Sequence, residues 1–292
     1  MPPSVPAGPL AARWLRHDLP EQRAGARSIV TAEVENAGRV AWHGDTDGAV
    51  NVSYHWLDLR GNAIVWAGIF TPLAEPVAPG QTTTLSFPVE APIPPGRYRL
   101  SLDLVADGRA WFAELGNEPV EVEIDVKPRI STRSLAVHVG EGAPELIGET
   151  QAALALQEEA VRSADDTEAT AFVAPGCRPA PDWSRRILDT HAEGYAGVGG
   201  SVSVEGRRLA LRGAGRDLEP WRPGFGRSPG WTEPLLCPSV LTEVLDSAPF
   251  GEPIYGLPAL EPSSWEEAWL CDGRISVAVA ARALKQAARR SG

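Results

Sequence analysis

Apolar and polar residues alternate in short runs through the first part of the chain, and turn residues separate the runs roughly every 8–12 positions. The first run, Ile29 to Glu35, places Val30, Ala32 and Val34 on one face and ends at Asn36-Ala37-Gly38. Val50, Val52, Tyr54 and Trp56 define the next, and Arg60-Gly61-Asn62 turns it into a run from Ala63 to Phe70. After Pro79-Gly80, the run Thr82 to Val89 carries Leu85, Phe87 and Val89 in phase. Pro94-Pro95-Gly96 precedes the cleanest alternation, Tyr98, Leu100, Leu102 and Leu104. Asp107-Gly108 then leads to Ala110-Trp111-Phe112, and Val120, Val122, Ile124 and Val126 close the set. A period of two sends successive side chains to opposite faces, so each run predicts a strand with one buried face. About seven or eight such strands predict a β-sandwich with the strand number and turn spacing of an immunoglobulin-like domain.

The pattern changes after Lys127-Pro128, which marks a boundary. Ser134 to Val139 and Ala169 to Val173 predict strands, and Pro144 to Arg162 predicts a helix with Pro in its first turn. Asp182 is the N-cap of a second helix running to His191. Gly194 to Gly200 reads as a glycine-rich turn into a third strand, Ser201 to Val204. It leaves a helix and enters a strand, the reverse of a phosphate-binding loop. Val240 to Leu245, with Ser239 as N-cap, and Val277 to Ala288 predict further helices. The alternation predicts an α/β layer with some parallel pairing. The expected organisation is a Pro-rich lead over 1–24, a sandwich over 25–127 and an α/β domain over 128–292.

Composition narrows the partners. The 292 residues suffice for two domains, each with its own core. With 27 basic and 38 acidic residues the net charge is −11, which argues against nucleic acid or an anionic membrane as a partner. No apolar window approaches the ~18 residues of a membrane span. The start, Met-Pro-Pro-Ser-Val-Pro, has neither the basic nor the apolar region of a secretory signal, so a cytoplasmic location is expected. Cys177, Cys237 and Cys271 are widely spaced, which predicts reduced, buried thiols and no zinc site.

Two resemblances extend the reading. Asn36-Ala37-Gly38 with Trp42, Tyr54-His55-Trp56-Leu57-Asp58, Pro79-Gly80, Pro95-Gly96-Arg97-Tyr98-Arg99-Leu100, Asp103-Leu104-Val105 and Trp111-Phe112 occur in an order that resembles Trp-rich Ig-like domains. Such domains are often fused to bacterial glycosyltransferases and methyltransferases of cell-surface polysaccharide loci. Further on, Ala171-Phe172-Val173, Ala174-Pro175-Gly176 and Pro179-Ala180-Pro181-Asp182-Trp183 precede a helix and Gly197-Val198-Gly199-Gly200. Trp265-Glu266-Glu267-Ala268-Trp269-Leu270 and Gly273-Arg274-Ile275 follow. Over about residues 133–280 this succession is similar to family-2 glycosyltransferases of the GT-A fold. That resemblance implies a reduced GT-A-like α/β domain. Its two metal-binding Asp positions fall on Ala174 and Gly176, which lack the oxygen donors a hard cation needs, so neither metal nor cofactor is expected. The interval from Val139 to Ala169 holds one helix and a turn, where the family has a further strand–helix unit gripping the nucleotide. Asp165-Asp166 in that interval reads as a solvated turn.

Few residues remain as candidates for chemistry. In an inverting transfer Glu266 or its neighbour Glu267 would deprotonate the acceptor hydroxyl. The spacing Ser264-x-x-Glu267 is equally that of a helix capping box. Candidate substrate contacts are Trp183, Trp265 and the loop that interleaves Trp221, Arg222 and Trp231. Trp42, Trp56, Trp66 and Trp111 could stack on sugars, but their phase and size favour the sandwich core. His55 falls on the face opposite Trp56, as a lone surface histidine, and His43 and His55 lack the company of a metal site. The expected function is that of a glycosyltransferase-like protein of surface-glycan assembly, acting as a sugar-binding or accessory protein without metal-dependent transfer. Two alternatives stay open: an active inverting transferase with a nucleotide-sugar donor, and a non-enzymatic assembly component that binds other proteins through both domains.

Overall fold

The alternating runs of the first part form strands β1 (Ala12–Asp18), β2 (Arg27–Asn36), β3 (Val50–Leu57), β4 (Ala63–Val65), β5 (Thr71–Pro72), β6 (Thr82–Glu90), β7 (Gly96–Ala106), β8 (Ala110–Trp111) and β9 (Val120–Val126). The computed structural model describes residues 8–45, 48–106, 108, 110–162, 166–204, 207–208, 235–248, 250–253, 256–260 and 269–279. The chain divides into two units, one ending at Lys127 and one beginning at Pro128.

The first unit is a β-sandwich. One sheet has the antiparallel order β1-β2-β6. The other is centred on the antiparallel pair β3–β7, with β4 and β5 end to end along the free edge of β3 and β8 and β9 along the free edge of β7. Val30, Ala32, Val34, Phe87 and Val89 from the first sheet and Val50, Val52, Tyr54, Trp56, Leu100, Leu102 and Leu104 from the second are buried between them. Two aromatic tips tie β3 to β6. Trp56 Nε1 donates to the Glu90 carbonyl at 2.9 Å, and the Glu90 N–H donates to Tyr54 Oη at 2.9 Å. Each ring thus buries its body while its polar atom stays satisfied. Trp42 packs edge-on against Phe112 at 5.6 Å. Part of the Pro-rich lead is itself structured, because β1 lies along β2 and the Asn117 side chain accepts the Ala12 N–H at 2.7 Å.

The second unit comprises β10 (Leu135–Val139), α1 (Pro144–Leu154), β11 (Val161–Arg162), β12 (Ala169–Val173), β13 (Cys177–Pro179), α2 (Trp183–Glu193), β14 (Gly197–Val204), β15 (Arg207–Arg208), β16 (Leu235–Leu236), β17 (Ser239–Leu241), β18 (Ala259–Leu260) and β19 (Trp269–Val279). Its main sheet has the order β11-β10-β12-β17-β14-β19-β13, with β15 paired to β14. β10 is parallel to β11 and β12, and β14 is parallel to β19. The remaining pairs are antiparallel.

Several expectations for this part change. The helix from Pro144 stops at Leu154, not Arg162. Beyond it, Gln157 reaches the Ala153 and Ala180 carbonyls and accepts the Ser184 N–H, while the Glu158 N–H bonds the Pro181 carbonyl. Those tertiary bonds replace the helical ladder. The glycine-rich Gly197 to Gly200 is strand, not turn, because it pairs with β17 on one side and β19 on the other. Ser239 opens no helix but begins strand β17, and only a 3-10 turn, Thr242–Ser247, follows. Val277 to Val279 is the end of a strand paired with β13, and the rest of that expected helix lies outside the described residues.

One carboxylate closes the start of this unit. Glu168 accepts the backbone N–H groups of Ser131, Thr132 and Arg133 and the hydroxyls of Ser131 and Thr132. Burial alone would raise its pKa, but these bonds outweigh it and hold the carboxyl below its usual 4.5. A depressed carboxyl contributes stability above the unfolded pKa and loses it as pH falls through the folded one. We expect Glu168→Gln to lower the Tm at pH 7 and to converge with the unsubstituted protein as pH falls below about 4, measured by thermal denaturation across pH.

Candidate functional site

The outward face of the β3–β7 pair buries four polar side chains together. By strand alternation, Ser53 and His55 on β3 point away from the core, as do Ser101 and Asp103 on β7. The register places Ser53 opposite Asp103 and His55 opposite Ser101. An outward sandwich face ordinarily meets water. Here Ser53 is 0%, Asp103 1%, Ser101 3% and His55 6% exposed.

Two chain segments form the cover. Between β4 and β5 the edge strand is interrupted, so residues 66–70 loop out beside β3 and bring Trp66 and Phe70 across the face. Gly68 holds this loop down: its N–H bonds the Tyr54 carbonyl at 2.9 Å, and a Cβ there would lie 2.4 Å from the Tyr54 ring. From the opposite edge, β8 carries Trp111 and runs into the short 3-10 turn Ala113–Leu115. The His55 ring lies 4.2 Å from Trp111 and 4.6 Å from Trp66, centroid to centroid. Trp66 and Phe70 are 6.4 and 5.7 Å from Trp111. Trp111 is 9% exposed, whereas Trp66 and Phe70 are 55% and 49% exposed. The four tryptophans therefore separate: Trp42 and Trp56 are core, Trp111 is an inner wall, and Trp66 is a surface ring rather than the core residue expected.

The polar floor holds this cover in place. His55 Nδ1 donates to the Trp66 carbonyl, and burial, the dominant influence, pushes the imidazole below its usual pKa of 6.5. The ring is thus neutral near pH 7, with Nε2 left as an acceptor. Asp103 accepts the Leu104 N–H at 2.8 Å and the Ala113 N–H at 3.1 Å. Burial raises its carboxyl from 3.8 to about 6, the two N–H bonds oppose this, and nearby Glu114 adds to it. Glu114, exposed at the rim, accepts the Trp111 N–H at 3.1 Å. Among the described residues the buried Ser53 hydroxyl has no hydrogen-bond partner. At the surface the arrangement presents the Trp66 and Phe70 rings with the Glu114 carboxylate beside them, while Ser53, His55, Ser101 and Asp103 lie buried beneath.

Trp183, expected to contact substrate, is 1% exposed in the core of the second unit and presents no face to a ligand. Trp221, Arg222, Trp231, Trp265, Glu266 and Glu267 lie outside the described residues. In open α/β sheets, ligands sit beyond the carboxyl ends of strands where the strand order reverses. That point lies between β10 and β12, since the chain leaves β10 for β11 on one side and returns to β12 on the other. There Pro175, after β12, lies close to the loop after β10: a Cβ on Gly142 would lie 2.8 Å from its ring. The Gly176 N–H bonds the Leu146 carbonyl at 3.0 Å and Thr150 Oγ1 at 2.9 Å, and Ala174 is buried. Cys177 and Cys237 are buried free thiols, and the bond from Cys237 together with burial pushes the Cys177 thiol far up, away from nucleophile chemistry. Buried His191 bonds the Tyr195 carbonyl and Ser239 Oγ, a structural role. Among the described residues no helix is long and apolar enough to cross a membrane.

The aromatic content was legible beforehand, but Ser53, Phe70, Asp103 and Glu114 were not singled out and His55 was dismissed. The signal was the pairing of polar outward positions on the two most strongly patterned strands. No protein-family model matches the chain, and no curated protein matches it. Among solved structures, the C-terminal domain of wzt is similar at 12% identity and TM-score 0.29, over 43% of this chain and 77% of that one. The yjhA protein from Bacillus subtilis is similar at 16% identity and TM-score 0.24, over 41% and 93%. A β-glucosidase from Listeria innocua in complex with gluconolactone is similar at 11% identity and TM-score 0.26, over 39% of this chain and only 15% of the enzyme. Likenesses this loose fix no activity.

The buried carboxyl gives a test of the geometry. Because Asp103 holds its proton more tightly when folded, its contribution is full below about pH 4 and is lost as pH rises through about 6. Asp103→Asn removes the titrating group and is expected to abolish the gain in stability that the unsubstituted protein shows at this site on going from about pH 7.5 to about pH 4, by denaturation at both pH values.

Proposed function

We propose that this protein binds sugar as an accessory component of surface-glycan assembly, through the outward face of the first unit. The observation that carries the reading is the half-exposed pair Trp66 and Phe70 standing over a buried floor of Ser53, His55, Ser101 and Asp103. Exposed aromatic rings beside polar acceptors suit a pyranose, whose C–H face stacks on the ring while its hydroxyls seek acceptors. In this reading the first unit is an Ig-like sandwich and the second a reduced GT-A-like domain without metal-dependent transfer. Support for the absence of metal-dependent transfer comes from Ala174 and Gly176, which offer no side-chain oxygen where the resemblance places the metal ligands.

Trp66→Ala and Phe70→Ala remove half-exposed rings and are expected to lower the Tm only modestly, with the chain still folded, while weakening binding to a responsive glycan roughly five- to tenfold each, by calorimetry. Unchanged affinity in both would remove the aromatic face from the account. A second measurement addresses transfer directly: UDP- or GDP-sugars with Mn²⁺ are expected to give no thermal shift, and a Mn²⁺-dependent shift would favour an active transferase instead.

A further inference from the structure

The geometry points to Cys177 and Cys237 as a modification site: two thiols placed to be oxidised to an intramolecular disulfide that staples the start of β13 to the segment entering β17. They stand 60 positions apart in the sequence, and the backbone brings them together in two steps. β12 and β17 run antiparallel with Ala171 opposite Ser239. The Phe172 N–H bonds the Pro238 carbonyl at 2.9 Å, which extends that register by antiparallel pairing and sets Cys237 opposite Val173. Directly after Val173 the chain turns through Ala174-Pro175-Gly176-Cys177, where the Cys177 N–H bonds the Ala174 carbonyl at 3.1 Å and Gly176 has φ 86°. Pro second and a positive-φ Gly third make this a type II turn. It returns Cys177 to the end of β12, beside Cys237.

Packing completes the juxtaposition. Cys177 is 0% and Cys237 2% exposed, and both are free thiols. The two thiols are hydrogen-bond partners, so the sulfurs meet. Cys237 is held at φ 46°, a left-handed conformation that a residue with a Cβ rarely adopts, and its N–H bonds the Pro258 carbonyl at 2.9 Å. Such a backbone persists where its surroundings over-determine it, so this thiol has a fixed place.

Oxidation needs a thiolate, which burial suppresses in the closed fold. The reaction therefore runs through transient opening around β13, the last strand in the order of its sheet. The oxidant is a low-molecular-weight disulfide such as oxidised glutathione. One cysteine loses its proton, attacks a sulfur of the oxidant and expels a glutathione thiolate. The second cysteine, as thiolate, attacks the mixed disulfide, forms the Cys177–Cys237 bond and expels the other glutathione thiolate. The two cysteines together lose two electrons and two protons, and the oxidant becomes two glutathione molecules. Reclosure buries the new bond, which closes a loop of about 60 residues and constrains the unfolded chain.

The test incubates the full chain with oxidised glutathione, with and without urea below the unfolding transition, and maps disulfides by mass spectrometry of unreduced peptides. The expected result is a linked Cys177–Cys237 peptide that forms faster in urea. With it the Tm rises by roughly 5–10 °C and returns to its starting value on treatment with dithiothreitol. Cys237→Ser is expected to abolish both the linkage and the gain in Tm. Should that variant fail to fold, the peptide map of the unsubstituted chain decides alone. A linkage through Cys271, stable glutathione adducts on single cysteines, or free thiols at both positions after oxidation in urea overturns the assignment. A Cys177–Cys237 linkage that leaves the Tm unchanged overturns its role as a staple.

Discussion

The outward face of the β3–β7 pair is closed over polar groups, and that single constraint shapes most of the first unit's surface. Strand alternation obliges β3 and β7 to present side chains on both faces, and the inner face belongs to the sandwich core. Covering the other face removes Ser53, His55, Ser101 and Asp103 from water, which costs free energy unless hydrogen bonds replace the lost hydration. Those replacements are also what fix the cover. His55 holds the Trp66 carbonyl, and Asp103 holds the Ala113 N–H at the start of the turn that follows Trp111. Removing the floor would release the roof, so the polar residues and the aromatic ones form one structural unit.

The second unit handles its polar groups differently. Glu168 is saturated by five donors from three consecutive residues, and Thr150 both donates to the Leu146 carbonyl and receives the Gly176 N–H. His191 uses both ring nitrogens internally. These are closed circuits, with no atom left for a ligand. At the strand-order reversal Pro175 lies close to Gly142.

Legibility followed the same division. The inner faces of β2, β3, β6 and β7 were readable because each alternates over several positions against a single apolar core. β1 was not, since Ala-Arg-Trp-Leu-Arg-His-Asp is an edge segment with little buried and no clean period. Gly197 to Gly200 and Ser239 misled because their local preferences, turn and helix cap, yield to pairing on both sides in a central sheet position. For the site, the sequence supplied the rings but not their positions. Trp66 stands outside the core because the edge strand breaks between Val65 and Thr71, a break that Gly68 alone in that stretch hints at. Ser53 and Asp103 carry the signature of a solvated face, and only the register and the two covering segments turn them into a buried pair.

The retention of Asp103 is the most informative feature of that pair. A carboxyl whose proton affinity rises to about 6 on folding is a liability at neutral pH, because the folded chain must carry a buried charge that the unfolded chain solvates freely. The carboxylate form serves the local backbone, since its two oxygens accept the Leu104 and Ala113 N–H groups separately, where an amide has a single acceptor oxygen. Glu114 compounds the cost, placed where it raises Asp103 further and bonds the Trp111 backbone rather than any cation. Both carboxylates nevertheless hold backbone of the covering segment, Asp103 at Ala113 and Glu114 at Trp111. What the buried charge secures is the union of floor and roof, and the raised proton affinity measures what that union costs at neutral pH.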